Sequence, residues 1–270
     1  MAGEDEDTTG RVEVTRDGPV LRLTLRRRTR RNALSPDMID TLTAALTDAA
    51  TDEQLRVVHL AGAGEHFCAG VDWVSTNDAG RRPPAGDLVR RIPHTAHRVI
   101  ELLHACHLPV VCTVRGWAAG LGCNLALAAD FTLADTDAVF WEPFLPRGFS
   151  PDSGATWLLP RLVGLARAKR MLLLGEKVSA AEAADWGLIH ATAAPADLDT
   201  ATAELLDRLA NAPTVALGLA KQAVHRNLGT GLAEAMNNEL YALELACRTA
   251  DFKEGLAAFR QRRAPDFQGR

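Results

Sequence analysis

Residues 109–134, PVVCTVRGWAAGLGCNLALAADFTLA, decide the fold class. Val110-Val111-Cys112-Thr113-Val114 is a short, largely apolar run behind a proline, as a strand buried on both faces reads. Arg115-Gly116 ends it. Two further glycines, Gly120 and Gly122, flank Leu121 ahead of the small-residue helix pattern Cys123-Asn124-Leu125-Ala126-Leu127-Ala128-Ala129, and Phe131-Thr132-Leu133-Ala134 restarts a strand. A strand, a glycine turn, a helix and a strand in that order describe an α/β unit with a crossover helix.

The same rhythm extends outward. Upstream, Val57-Val58-His59-Leu60-Ala61-Gly62 is another buried-strand run, and residues 92–106 carry a helical pattern. Val12 and Val14 face Val20, Leu21, Leu23 and Leu25 across Asp17-Gly18-Pro19, which predicts a hairpin. Ser35-Pro36-Asp37 predicts a helix start with a cap, proline at the first position and an acid in the first turn. Met38, Ile39, Leu42, Ala45, Leu46 and Ala49 then supply the apolar stripe. Residues 78–87, DAGRRPPAGD, predict a mobile loop. Beyond Pro160 nearly everything reads as helix: Ser179 and Glu182 form a capping pair, Asp197 starts another helix, and residues 214–228, 232–248 and the stretch from Asp251 follow. The layout expected is a flexible terminus over 1–10, an α/β core over 11–195 and a helical region over 196–270.

Composition narrows the function classes. The chain has 270 residues, 47% hydrophobic and 24% charged, with a net charge of −4, which disfavours a bulk electrostatic grip on nucleic acid or an anionic membrane. Five cysteines without a CxxC pair suit a reducing compartment. The acidic start MAGEDEDTTG does not read as a signal peptide, and no run of about 20 apolar residues is present to span a bilayer, so a cytoplasmic location is expected. Neither GxxxxGK[ST] nor a GxGxxG directly after a strand occurs.

Three segments carry candidate chemistry. The glycine turn at 116–124 leaves the first amides of its helix without partners, and the second glycine loop, Cys68-Ala69-Gly70-Val71, also follows a strand. Two such loops together can offer two N–H donors to one developing oxyanion, although tight packing alone also explains the glycines. The third segment, residues 140–157, is rich in aromatics and prolines and holds two carboxylates, Glu142 and Asp152. Apolar surroundings raise a carboxyl pKa and make an acid/base group, but a Pro-Asp-Ser-Gly sequence is also an ordinary helix cap. His94, His97, His104 and His107 spread too widely on a helix for a metal site, and His66 with Cys68 is a weak candidate for thiol chemistry. The arginine run 26–31 reads either as a solvated edge or as a phosphate contact.

Taken in order, RRNALS, HFCAGVDW, VRGWAAGLGCNLALAADF, SPDSGATWLLPRLVGLARAKRMLLLGEKVSAAEAADWGLIH and DFKEGLAAFRQRRAPDF resemble the enoyl-CoA hydratase/isomerase (crotonase) superfamily over residues 12–268. The resemblance implies repeated ββα units around a spiral core, C-terminal helices that make trimers or dimers of trimers, and an acyl-CoA thioester substrate with no separate cofactor or metal. It places the oxyanion-binding amides on Val71 and Leu121, with leucine where the family usually has glycine. It places the two hydratase glutamates on Asn124 and Phe144, so both are missing. It leaves Asp152 at the carboxylate position of double-bond isomerases and of an aromatic dehalogenase, with Glu142 in reserve. The implied pocket comprises Ala69, Trp73, Trp117, Asn124, Trp141, Phe144, Phe149 and Trp157. Arg28, Arg30, Arg31 and Lys253 of a neighbouring subunit are expected to hold the CoA. The expected activity is enoyl-CoA double-bond isomerisation; hydration of a 2-enoyl-CoA and acyl-CoA binding without turnover are the alternatives.

Overall fold

The computed structural model describes residues 9–72 and 84–270. The expected loop at 78–87 therefore falls largely outside the described residues, as do Trp73 and most of the N-terminal segment.

The hairpin forms as read: β1 (Arg11–Asp17) pairs antiparallel with β2 (Val20–Arg26). Then α1 (Pro36–Ala49) starts on Ser35, whose hydroxyl accepts from the Met38 amide, a cap worth about 1 kcal/mol. Four parallel strands extend the sheet: β3 (Val57–Gly62), β4 (Val110–Val114), β6 (Phe131–Asp135) and β9 (Ala191–Ala193), in the order β1-β2-β3-β4-β6-β9. Side chains alternate across it. Leu23, Leu25, Val58, Leu60, Cys112 and Val114 enter the main core, which α1 also lines. Val20, Val57, Val111 and Leu133 face the other way, onto α7 (Leu198–Ala210).

A second, smaller sheet holds β5 (Trp117–Ala119), β7 (Val139–Trp141) and β8 (Lys177–Ser179). It extends by a single bridge to Cys68, so Cys68, Ala118, Phe140 and Val178 form one buried row across successive turns of chain. Each turn thus runs from the large sheet to the small one and then into a helix. The helices are α3 (Ala96–Ala105), α4 (Leu121–Ala128) and α5 (Ala155–Leu174, broken at Gly164). These are repeated ββα units, closed by a C-terminal helical region.

Two expectations need correction. The helix read over 92–106 starts later: α2 (Asp87–Arg91) and a 3-10 turn, Ile92–His94, precede α3, and the break falls at Thr95, whose φ of −124° and ψ of −100° are not helical. The stretch after Pro160 is not all helix, since β8 and β9 lie within it. Between them α6 (Ala180–Asp185) carries the Ser179–Glu182 capping box. The chain ends through α8 (Thr214–Asn227), α9 (Leu232–Ala246) and α10 (Ala250–Gln261). Among the described residues no helix is long and apolar enough to cross a membrane.

Candidate active site

The repeat places two equivalent amides side by side. After the bridged pair Cys68 and Ala118, each chain turns on a glycine with positive φ, Gly70 (+92°) and Gly120 (+53°). The next residues are Val71 and Leu121. Leu34 makes the hydrogen bonds on either side of Val71, donating to the Gly70 carbonyl at 2.8 Å and accepting from the Asp72 amide at 3.2 Å. The Val71 amide therefore points the opposite way. Leu121 is the first residue of α4, where the N–H has no acceptor within the helix. The loops touch: a Cβ on Gly70 would stand 3.5 Å from the Leu121 nitrogen. Leucine at 121 carries no backbone strain, because Gly120 takes the positive φ and Gly122 takes the close approach to Cys68.

Val71 and Leu121 line one cavity, with Ala69, Phe144, Phe149 and Asp152 also in its wall. Val71 and Asp152 are shared with a second cavity of about 110 Å³, whose other lining includes Leu34, Pro36, Ile39, Ile92 and Ala96. Asp152 thus lies where the two cavities meet. It is not the cap of α5, since Gly154 takes that position. Its backbone carbonyl accepts from the Ala155 amide at 3.0 Å, with Asn124 Nδ2 at 3.5 Å, and its Oδ1 accepts from the Ser153 hydroxyl at 3.0 Å. Ser153 in turn donates its amide to His97 Nε2 at 3.3 Å. In the sequence His97 stands out only as one of four spaced histidines. Those histidines do not act together, since His104 stacks on His225 instead.

Glu142 differs from the expectation of a reserve acid in the pocket. It is fully buried, neither oxygen has a nitrogen or oxygen hydrogen-bond partner, and the Cys123 thiol lies beside it. Burial pushes its carboxyl well above the usual carboxylate range; the Cys123 thiol opposes that rise and the nearby Asp152 charge adds to it. Asn124 is equally buried, and its Oδ1 has no partner. Cys68 is wholly enclosed, and burial pushes its thiol up to about 12, which leaves no nucleophilic thiolate at neutral pH. Among the described residues no group of three or more side chains is placed to hold a metal.

The enoyl-CoA hydratase/isomerase family model matches residues 15–270. The chain belongs to this family. It is 38% identical over 253 residues to the 1,2-epoxyphenylacetyl-CoA isomerase of Escherichia coli, covering 93% of this chain and 95% of that one. It is 35% identical over 258 residues to the 2,3-dehydroadipyl-CoA hydratase of the same organism, covering 95% and 98%. The enoyl-CoA hydratase structure from Bacillus anthracis superposes with a TM-score of 0.89 at 31% identity, over 96% of this chain and 99% of that one. The protein is thus an enzyme of the enoyl-CoA hydratase/isomerase family with an acyl-CoA-related activity.

In this hydratase/isomerase family member, three of the tryptophans expected in the pocket lie elsewhere. Trp117 and Trp141 flank the inward Ala118 and Phe140 on their strands, so the two-residue period turns them to the opposite face. There Lys177 Nζ stands 5.2 Å from each ring, and Trp141 Nε1 donates to the Gly175 carbonyl. Trp157 is 39% exposed on α5 and lines a separate cavity with His104 and Arg161. The arginine run also divides. Arg26 pairs with Glu13, and Arg27 is buried against Asp72 at 2.9 Å, tying the run to the Gly70 loop. Arg28, Arg30 and Arg31 are exposed, as is Lys253. Arg147, which sequence reasoning passed over, lines the cavity beside Leu121.

Proposed function

We propose that this enzyme shifts a carbon–carbon double bond in an enoyl-CoA, with Asp152 as the proton carrier. The thioester oxygen sits between the Val71 and Leu121 amides, each worth roughly 3 kcal/mol to a developing enolate. Asp152 takes a proton from one end of the allylic system, giving a dienolate, and returns it at the other end. One carboxylate suffices for that exchange. Syn hydration ordinarily employs two groups, one to activate water and one to protonate carbon.

The observation that carries the reading is the position of Asp152 at the junction of the two cavities, with an amide and a phenylalanine at the sites where the resemblance puts the hydratase glutamates. Glu142 is enclosed, lines neither cavity, and has its carboxyl pushed up by burial, which argues against its serving as the base. Identity to 1,2-epoxyphenylacetyl-CoA isomerase supports isomerisation of an acyl-CoA in general, that relative's named substrate being an epoxide. Identity to a hydratase supports the second reading, hydration of a 2-enoyl-CoA through Asp152.

Exposed apolar side chains on α9 and α10, among them Leu232, Leu240 and Phe259, support assembly as a trimer or a dimer of trimers. We place the CoA nucleotide against Arg28, Arg30 and Arg31, with Lys253 contributed by a neighbouring copy, and the division between core and helical region near residue 195.

Incubation with 3-enoyl-CoA and with 2-enoyl-CoA in ¹⁸O-labelled water tests the activity. Isomerisation without ¹⁸O in the product supports the proposal. A labelled 3-hydroxyacyl product as the main outcome replaces it with hydration, and tight binding without turnover replaces it with a binding protein.

A further inference from the structure

We propose that His97 is a positioning residue for Asp152, acting through the peptide group that joins Asp152 to Ser153. This rests on the reading of Asp152 as the proton carrier. Both polar ends of that one peptide plane are clamped. Its carbonyl accepts from the Ala155 amide at 3.0 Å, with Asn124 Nδ2 at 3.5 Å; its N–H, that of Ser153, donates to His97 Nε2 at 3.3 Å. Accepting that hydrogen bond requires a lone pair on Nε2, which assigns the ring proton to Nδ1.

The clamp holds a strained turn. Ser153 has φ +51° and Gly154 has φ +83°, two left-handed residues in succession, and such a conformation is unfavourable for serine. The conformation has a consequence for the acid. It folds the Ser153 hydroxyl back so that it donates to Asp152 Oδ1 at 3.0 Å, while the Ser153 amide points away to α3. Backbone strain of this kind persists where the surroundings over-determine it. Here α3 supplies the surroundings from one face: His97 takes the amide, and Ile100, one turn on, stands 3.6 Å from the Cβ position of Gly154.

Ser153 is 2% exposed, so its N–H relies on a protein acceptor. Without His97 the Ser153 N–H becomes a buried, unpaired donor, and rotation of the peptide plane relieves both that penalty and the left-handed strain. The rotation carries the Ser153 hydroxyl and the Asp152 carboxylate away from the junction of the cavities.

The test compares His97→Leu, His97→Gln, Ser153→Ala and Asp152→Asn. Each is assayed for kcat on 3-enoyl-CoA and for the Kd of a saturated acyl-CoA, which binds without reacting. A displacement of about 1 Å at a reacting group costs up to about 100-fold. His97→Leu should therefore lower kcat by about 10- to 100-fold with Kd changed less than about threefold. His97→Gln, whose amide oxygen reaches the Nε2 position, should recover most of the loss. Ser153→Ala, which keeps the amide and removes the hydroxyl, should lose about tenfold and stands in should His97→Leu fail to fold. If Asp152→Asn is inactive while His97→Leu and Ser153→Ala keep full kcat, the positioning role is wrong and the assignment of Asp152 stands. If Asp152→Asn is fully active, both fall. Equal loss of kcat and acyl-CoA affinity in His97→Leu, with no rescue by glutamine, also overturns the proposal.

Discussion

Gly70 approaches Ala119 so closely that a Cβ on Gly70 would lie 2.8 Å from the Ala119 carbonyl oxygen. The contact joins two chain turns at the point where each presents an amide, Val71 on one and Leu121 on the other. Backbone meets backbone there, so a side chain at 70 has no flexible neighbour to displace, and φ +92° strains any non-glycine residue besides. Gly70→Ala should separate the two donors and lower kcat on an enoyl-CoA by at least about 100-fold, the scale of losing one oxyanion donor. Circular dichroism should still show a folded chain. Unchanged kcat in the folded variant would remove the paired amides from the mechanism.

Glu142 predicts a pH dependence of stability. Its folded pKa lies above the unfolded value near 4.5, so between the two values the native state binds more protons than the unfolded state. The stability this acid contributes is therefore present below pH 4.5 and is lost as pH rises through the folded pKa. Glu142→Gln should flatten the fall in Tm from pH 5 to pH 8, whatever its effect at pH 5. Parallel slopes for the two proteins would show that burial does not raise the Glu142 pKa.

Thiol reactivity should follow burial. Cys68, Cys106, Cys112 and Cys123 are buried, and burial raises the pKa of each, whereas Cys247 is partly exposed. Alkylation of the native protein at neutral pH should modify Cys247 about 100-fold faster than the other four. Denaturation should abolish the difference. Rapid native labelling of Cys68 would contradict the packing around the Gly70 loop.

Assembly is checked by mass. Leu232 is 78% exposed and Phe259 85%, an unusual presentation for large apolar side chains in an isolated chain. Light scattering at micromolar concentration should give three or six chain masses, and a single-chain mass would contradict the trimer.

What the sequence disclosed was local. The hairpin around Asp17-Gly18-Pro19, the Ser35 cap, the three strand runs at 57–62, 110–114 and 131–134 and the Ser179–Glu182 box are each written within a few residues. The strands β5, β7, β8 and β9 were illegible, because three residues are too few to establish a period. That omission misplaced Trp117 and Trp141, whose facing is set by strand register and not by composition. The glycine loops were legible as turns, and the resemblance put the amides on Val71 and Leu121. The contacts that surround Asp152 were not legible: His97 meets Ser153 across 56 residues of chain, and the Arg27–Asp72 pair forms only once the large sheet brings its loops together.

The central claim is that Asp152 carries the proton, and Asp152→Asn tests it most directly. The substitution preserves size and most hydrogen bonding while removing the base, so kcat on 3-enoyl-CoA should fall by at least about 100-fold with little change in acyl-CoA affinity. Isomerisation by Asp152→Asn at the unmodified enzyme's rate would contradict the account.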